Sequence, residues 1–434
     1  MPKCIIIGGG LSGLSSAVNL SKHGIKIRLL EASPKLGGRA YSFNSNIENT
    51  VVDNGQHVMM GCYKYTLDYL KSIGTLDSLL IQKHLEVNYV GKGGRQYNLE
   101  AFGPLYPLNL VVGILKFKAI HFSDRLKILL FFQTILFSNS KNYEDKSVYE
   151  LLLSKKQSKT TIKIFWELLV VSIMNTGSQT ASAKLFVETM RDIFLGGNKG
   201  SSIIIPKSGL SELFCDKAEE FLVKNESVIN KSERVSELRF NGKKITHVIT
   251  NKNIYSDFDY IISAVPFVAL LKFYPLNSLD SYLKYFIASP IVTIHLWLKR
   301  KLFKKDFYGL IESKIHWLFV HEKHISIVVS NAVDLVNMDK VDIIRLTLNE
   351  LGLFFPSFKE ENIAASKIIK EKKATFPPSK NLEKYRSKIK SDFSNLIFAG
   401  DWTNTGLPST IESAAKSGKV ASLKILDKLK NNSA

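Results

Sequence analysis

The feature that most constrains this chain is the glycine cluster Gly8-Gly9-Gly10-Leu11-Ser12-Gly13, because of what stands on either side of it. Before it, Lys3-Cys4-Ile5-Ile6-Ile7 is an apolar, β-branched run of the kind that forms a buried parallel strand. After it, Leu14, Ala17, Val18 and Leu20 repeat at helical spacing up to Gly24, a C-terminal stop. Ile25-Lys26-Ile27-Arg28-Leu29-Leu30 then alternates as a second strand and ends at Glu31. Such a strand-turn-helix-strand unit gives each glycine a task. Gly8 allows the tight turn, Gly10 lets a pyrophosphate approach the backbone, and Gly13 lets helix and strand pack closely. The phosphates sit on the helix N-terminus, where free N–H groups and the dipole favour anions. The carboxylate of Glu31 can accept from both ribose hydroxyls and would repel a 2′-phosphate.

Pro34-Lys35-Leu36-Gly37-Gly38-Arg39-Ala40 follows at once. Paired glycines and an arginine at this distance from Glu31 bring a guanidinium to the same pyrophosphate, which points to FAD rather than NAD. Far along the chain, Asn395-Leu396-Ile397-Phe398-Ala399-Gly400-Asp401 is again strand, glycine and acid, and Ser409 to Leu429 reads as a helix whose start carries no positive charge. The two distant segments are therefore expected to meet around one cofactor. There is no second GxGxxG, so a reductant such as NAD(P)H or a reductase has no recognisable site.

Composition narrows the class further. The 434 residues are 45% hydrophobic with 12 prolines, enough for a large core. The net charge is +20, but 49 of the 59 basic residues are lysine, spread through the chain and mixed with acids. Base readout favours arginine and a reader motif, so no nucleic acid is expected. Cys4, Cys62 and Cys215 have no ligand-like spacing, so neither a disulfide nor a metal is expected, and a reducing cytoplasm fits best. The uncharged stretch Cys4–Ser21 reads as a glycine turn rather than a leader. The longest other charge-free runs, 101–115 and 168–183, fall short of the ~18 residues a spanning helix needs.

Between the ends, Tyr63–Leu80 reads as one amphipathic helix and Leu85–Leu99 as a hairpin turning at Gly91, Gly93 and Gly94. Ala101–Phe137 reads as an apolar helical pair, with Lys116, Lys118, Arg125 and Lys127 outnumbering Asp124. That pattern suits a peripheral membrane contact, or equally a set of cap helices over a substrate tunnel. Thr160–Leu195 continues as helix, and Gly196–Gly200 reads as a turn leading into Ile203-Ile204-Ile205-Pro206-Lys207-Ser208-Gly209-Leu210. Val235–Ile249 reads as a meander turning at Asn241-Gly242. Asp259–Pro266 reads as a buried strand, and Leu283–Lys299 and Ile325–Asn331 as strands of a second sheet.

With these motifs the chain resembles the FAD-dependent amine oxidase and phytoene desaturase superfamily over nearly all its length. More narrowly it resembles the hydroxysqualene dehydroxylase family, in Asp53-Asn54-Gly55-Gln56-His57-Val58-Met59-Met60-Gly61-Cys62-Tyr63, in Phe194-Leu195-Gly196-Gly197 and Ile204-Ile205-Pro206, and in Gly400-Asp401-Trp402-Thr403-Asn404-Thr405-Gly406-Leu407-Pro408-Ser409-Thr410-Ile411-Glu412-Ser413-Ala414. Lys372-Lys373-Ala374-Thr375-Phe376 is similar too, whereas Pro377-Pro378-Ser379 departs from that family's pattern.

The resemblance implies an α/β fold with an FAD-binding Rossmann-like domain of the GR2 type, built from residues 1–60, 196–265 and 385–434. A mixed α+β substrate domain with a helical cap takes 61–195 and 266–384. It implies that Gly8, Gly10, Leu11, Ser12, Gly13, Glu31, Ala32, Gly38, Arg39, Val235, Gly400, Asp401, Thr410 and Ile411 bind FAD. The implied reaction removes an allylic hydroxyl from a C30 isoprenoid, giving squalene for hopanoid synthesis. Its chemistry needs a proton for the leaving oxygen and a dry apolar tunnel. His57 and Asp53 are the candidate catalytic residues, against a second reading in which both are structural residues of the cofactor pocket. The alternatives are a carotenoid or phytoene-type desaturase and, further off, a flavin amine oxidase. The expected location is the cytoplasm, with peripheral attachment through residues 101–137 to the inner face of the membrane.

Overall fold

A computed structural model describes residues 1–433, and its two large sheets divide the chain between them. The first is a five-stranded parallel sheet in the order 228–230, β2 (Lys26–Leu30), β1 (Lys3–Ile7), 260–263 and 396–398. Every neighbour pair runs parallel, with Ile6 opposite both Leu29 and Ile262. Both faces are covered, which is why the central strands β1 and 260–263 are nearly continuous apolar runs, whereas β2, one place from the sheet edge, alternates over Lys26–Arg28.

On one face lies α1 (Leu11–Ser21), all eleven residues of which are buried. It is sandwiched between the sheet and the long helix Ile411–Ser433, and this explains its serine-rich sequence. A Cβ on Gly418 would stand 2.2 Å from the Ser12 carbonyl oxygen, so the helices touch backbone to backbone. Hydroxyls fill the seam, with Ser15 donating to the Ala415 carbonyl at 2.9 Å and Ser16 to that of Gly418 at 3.1 Å. The helix α2 (Lys64–Ile73) joins the same core through Tyr69, Leu70 and Ile73. On the other face, the meander 235–255 packs Val235, Leu238 and Val248 against Ile5, Ile7 and Leu30.

The second sheet has seven strands in the order 363–375, 289–298, 324–330, 317–320, 307–310, 86–91 and 95–100. It is antiparallel except where 307–310 meets 86–91. One face, with Val292, Ile294, Leu296, Ile325 and Ile327, packs on the helix Lys340–Phe354. The other, through Val87, Tyr89, Phe307 and Phe319, packs on a helical layer that includes α3 (Leu108–Lys116) and α4 (Phe122–Phe137).

Several elements depart from the sequence reading. The helix expected over Tyr63–Leu80 stops at Ile73, because Gly74 adopts φ +79° and turns the chain into a 3₁₀ turn and the strand Leu79–Ile81. Gly196–Gly200, expected as a turn, is instead the N-cap and most of the short helix Gly197–Ser201, where a Cβ on Gly196 would stand 2.7 Å from the Gly200 Cα. The strand expected from Leu283 begins only at Ser289, and Asp280–Leu283 is helical. Arg125, one of the cations counted over Ala101–Phe137, turns inward to donate to the carbonyls of Leu115 and Ile120. The helix Lys340–Phe354 and the edge strand Ile363–Thr375 had no clear signature. Among the described residues no helix is long and apolar enough to cross a membrane.

Candidate cofactor and active site

The turn after β1 and the turn at Gly37 lie against each other. Gly8 takes φ +104°, and a side chain there would run into the carbonyl of Ala264 on the neighbouring strand. A Cβ on Gly13 would stand 1.9 Å from the Gly8 carbonyl oxygen, so only glycine lets α1 begin where it does. Gly37 donates to the Gly9 carbonyl at 2.9 Å, and Gly38 brings its Cα up to Gly10.

What remains is a cradle. The nearest neighbour of a Cβ built on Gly10 is the Gly38 Cα, 3.9 Å away, so the space in front of the helix start is open. No side chain caps α1, and its first turn holds no acid, which leaves the N–H groups of its first turn available to an anion. Glu31 leaves β2 with its carboxylate held by the N–H of Gly9 at 2.7 Å and of Ser33 at 2.6 Å, which fixes it beside Ala32 at the cradle's rim. The Glu31 carbonyl accepts from Glu233, two residues before Val235. These features fit a dinucleotide pyrophosphate with an unphosphorylated ribose.

The Arg39 guanidinium, expected beside the pyrophosphate, donates to the Asp401 carboxylate at 2.6 Å and to the Ala374 carbonyl at 2.8 Å. Burial works to raise the Asp401 pKa, but the charge and hydrogen bond of Arg39 outweigh it and hold this carboxyl below the usual carboxylate range. Gly400, at φ +143°, makes the turn that presents Asp401, and its N–H donates to the Ser417 hydroxyl. The other Asp401 oxygen accepts from Ser409. Thr410 follows as the cap of the last helix, its hydroxyl accepting from the Ser413 N–H at 3.2 Å, and Ile411 is the first helical residue.

One organiser of this loop is Arg386, a fully buried arginine that sequence reading did not single out. It donates to the carbonyls of Asp401, Thr403 and Leu407 and to the Thr405 hydroxyl, while Glu383 balances its charge. Glu412, in the TIES string, caps α2 by accepting from the N–H groups of Tyr65 and Thr66. Neither role has a local signature, since the carbonyls that Arg386 holds lie 15 to 21 residues on and the N–H groups that Glu412 caps lie 346 and 347 positions back.

Asp53 and His57 sit on the segment leading out of the strand Val51–Asp53. One Asp53 oxygen accepts from the Ser42 hydroxyl at 2.6 Å and from the Leu210 N–H at 3.0 Å. Burial raises its pKa, and those two bonds work against the rise. The Nδ1 of His57 bonds the Gly55 carbonyl at 2.7 Å, so that nitrogen carries the proton and Nε2 is the one left for chemistry. Burial lowers the His57 pKa, opposed by the Gly55 bond and the Asp53 charge and reinforced by Arg39. Between the two elements, Asn54 donates to the Arg39 carbonyl at 2.6 Å, tying the His57 segment to the glycine-arginine turn.

Comparison with known proteins places this geometry. A hydroxysqualene dehydroxylase of Zymomonas mobilis is 24% identical over 96% of this chain and 97% of its own. One from Sinorhizobium fredii is 24% identical over 97% and 98%. A zeta-carotene desaturase of Solanum lycopersicum is 21% identical, covering 97% of this chain and 80% of its own. Among solved structures, an oxidoreductase from Methanosarcina mazei superposes with a TM-score of 0.73 over 98% of this chain and 100% of its own at 16% identity. Cyclohexylamine oxidase from Brevibacterium oxydans gives 0.71 over 99% of both at 14%. The model of the flavin containing amine oxidoreductases matches residues 11–426, and a pyrophosphate cradle suits FAD, which has that group, over FMN, which lacks it. The chain belongs to the flavin-containing amine oxidoreductase family and is an FAD-dependent oxidoreductase.

Proposed function

We propose that the protein removes the hydroxyl of hydroxysqualene reductively, giving squalene and water as a step toward isoprenoids such as hopanoids. The observation that carries this is the end-to-end match to hydroxysqualene dehydroxylases, which leaves 3% or less of the two relatives above uncovered, whereas the desaturase leaves 20% of its length unmatched.

In this reading Gly8, Gly10, Leu11, Ser12, Gly13 and Gly38 hold the pyrophosphate of FAD, and Glu31 and Ala32 the ribose. Val235 lies on the strand tied to Glu31, and Arg39, Gly400, Asp401, Thr410 and Ile411 stand on the flavin side. When bound and reduced, FAD supplies a hydride to the carbon that loses oxygen. The chain's own work is to keep the polyene dry and to protonate the leaving oxygen. His57 suits that task better than Asp53. Its Nε2 is free to carry and give a proton, while the Asp53 carboxylate is committed to Ser42 and Leu210 and acts as a fixed charge beside it. The cofactor domain is then 1–60, 196–265 and 385–434, with 61–195 and 266–384 serving the substrate.

The exposed residues Phe102, Leu105, Leu108, Phe122, Leu130 and Phe137 cluster on and around α3 and α4, with Lys116 and Lys118 beside them. We assign this face to a peripheral contact with an anionic membrane surface, from which a C30 lipid can be drawn. Flotation with and without anionic lipid tests it, and indifference to lipid charge removes the lysines from the account.

The deciding experiment for the reaction is anaerobic incubation with hydroxysqualene and a chemical reductant. Squalene formation is expected, and a red-shifted polyene from phytoene-type substrates in place of squalene would reverse the assignment. His57→Ala should keep FAD while lowering turnover at least ~100-fold, the lower range for lost acid-base help. Because the acid must be protonated, wild-type turnover should rise as pH falls through the lowered His57 pKa, and His57→Ala should lose that limb.

A further inference from the structure

The strand Ser289–Leu298 turns one face toward the His57 segment and meets it at every second residue. Trp297 Nε1 donates to the Thr50 hydroxyl at 2.9 Å, His295 Nε2 bonds the Asp53 carbonyl at 3.1 Å, and the Thr293 hydroxyl faces Gly55. All three side chains are 0–1% exposed. The period-two spacing of a strand therefore stitches the seven-stranded sheet to residues 50–55, two residues short of His57.

The middle stitch belongs to a longer row. His295 Nδ1 bonds the Ser326 hydroxyl at 2.9 Å, and that hydroxyl bonds His321 Nε2 at 3.0 Å, near the turn before the strand His324–Ser330. A peptide carbonyl can only accept, so the direction of every bond follows from the Asp53 end. His295 carries its proton on Nε2, its Nδ1 accepts from Ser326, and Ser326 accepts from His321. The row consists of neutral groups that all donate the same way, toward Asp53. The charged and titratable groups around His295 are His324, whose ring packs edge-on at 5.4 Å, Lys367 opposite it on the edge strand, His321 and Asp53.

We propose that His295 is a positioning residue for the active site, holding the Asp53 peptide against the sheet and thereby setting where the His57 ring stands. The proposal rests on the reading of His57 as proton donor. Because displacement of a reacting group by about 1 Å can cost a hundredfold, the tether has kinetic consequences although His295 touches no substrate.

Two substitutions test it. His295→Phe keeps a ring and removes both bonds, whereas His295→Gln can again donate to Asp53 and accept from Ser326. Expected for His295→Phe is a kcat lower by roughly 10- to 100-fold with flavin content and KM unchanged. His295→Gln should recover to within about threefold of wild type, and His295→Phe should add less than about threefold to His57→Ala, as for residues acting through one another. Wild-type kcat in His295→Phe, or an equal loss in both backgrounds, overturns the proposal. Unimpaired turnover in His57→Ala overturns the reading of His57 instead. Amide exchange of residues 54–58 then judges the tether alone, faster exchange in His295→Phe but not in His295→Gln supporting it and unchanged exchange ending it. In the wild-type protein, the ¹⁵N signal of His295 should report a neutral Nε2–H ring between about pH 5.5 and 8, and an Nδ1–H ring or an imidazolium would break the row.

Discussion

The two sheets are held in place by opposite kinds of residue. Around the parallel sheet the decisive positions are small, with Gly8, Gly13, Gly38 and Gly418 letting backbone approach backbone and Ser12, Ser15 and Ser16 filling the seam. Around the seven-stranded sheet they are large, with Val292, Ile294 and Leu296 packed on one face and Trp297 and His295 stitched on the other. In the function proposed above, the first half positions a cofactor by excluding side chains, and the second positions a residue by fitting them together. A close approach of backbones has no slack, whereas interlocked side chains share a loss among many neighbours.

The comparison can be broken first at Gly13. Gly13→Val puts carbon atoms where the Gly8 carbonyl stands, and the expected product is a protein that retains no flavin or does not fold, read from flavin absorbance after purification. Flavin-loaded Gly13→Val would refute the cradle outright. Arg386→Leu comes next. It takes the guanidinium away from three carbonyls and leaves Glu383 without its partner, so a loss of about 3–5 kcal/mol is expected in urea unfolding, together with weaker flavin retention.

The histidines of the second half give a smaller, pH-graded effect. Burial pushes His295 and His321 down to about 4 and His324 to about 3. An unfolded chain, with imidazoles near 6.5, binds more protons below that value, so stability is complete above about pH 6.5 and falls as pH drops toward 4. Each histidine contributes up to about 1.4 kcal/mol per pH unit, and urea midpoints at pH 7.5 and 5.5 should differ less in His324→Gln than in wild type. Smallest is Ile294→Val, which removes one methylene from a redundant core and should cost about 0.5–1.5 kcal/mol without altering flavin content.

The same contrast governs what could be read from the amino acids alone. Residues 3–31 carry their own instructions, since turn, helix and strands are all local, and β1, α1 and β2 lie where the pattern puts them. The Gly37–Arg39 turn and Gly400–Asp401 were legible for the same reason. Arg386 was not, because three of its partners are carbonyls, which every residue has. His295 was not, because an imidazole on a strand gains meaning only from Asp53, 242 positions away. The strand Ile363–Thr375 escaped notice because its lysines suggest a surface, yet an edge strand is where lysines discourage pairing with another molecule. Tyr63–Leu80 misled because the amphipathic period runs on past Gly74, whose left-handed backbone ends the helix.

The seam between α1 and the helix Ile411–Ser433 joins residues 400 positions apart, as in the bond from Ser15 to Ala415. During synthesis α1 leaves the ribosome about 400 residues before its second covering helix exists. Until then its serine face has no partner, and the parallel sheet lacks the strand Leu396–Phe398. A chain cut short before residue 396 therefore cannot close the parallel sheet that β1 and β2 open, so completion of that sheet doubles as a checkpoint on synthesis.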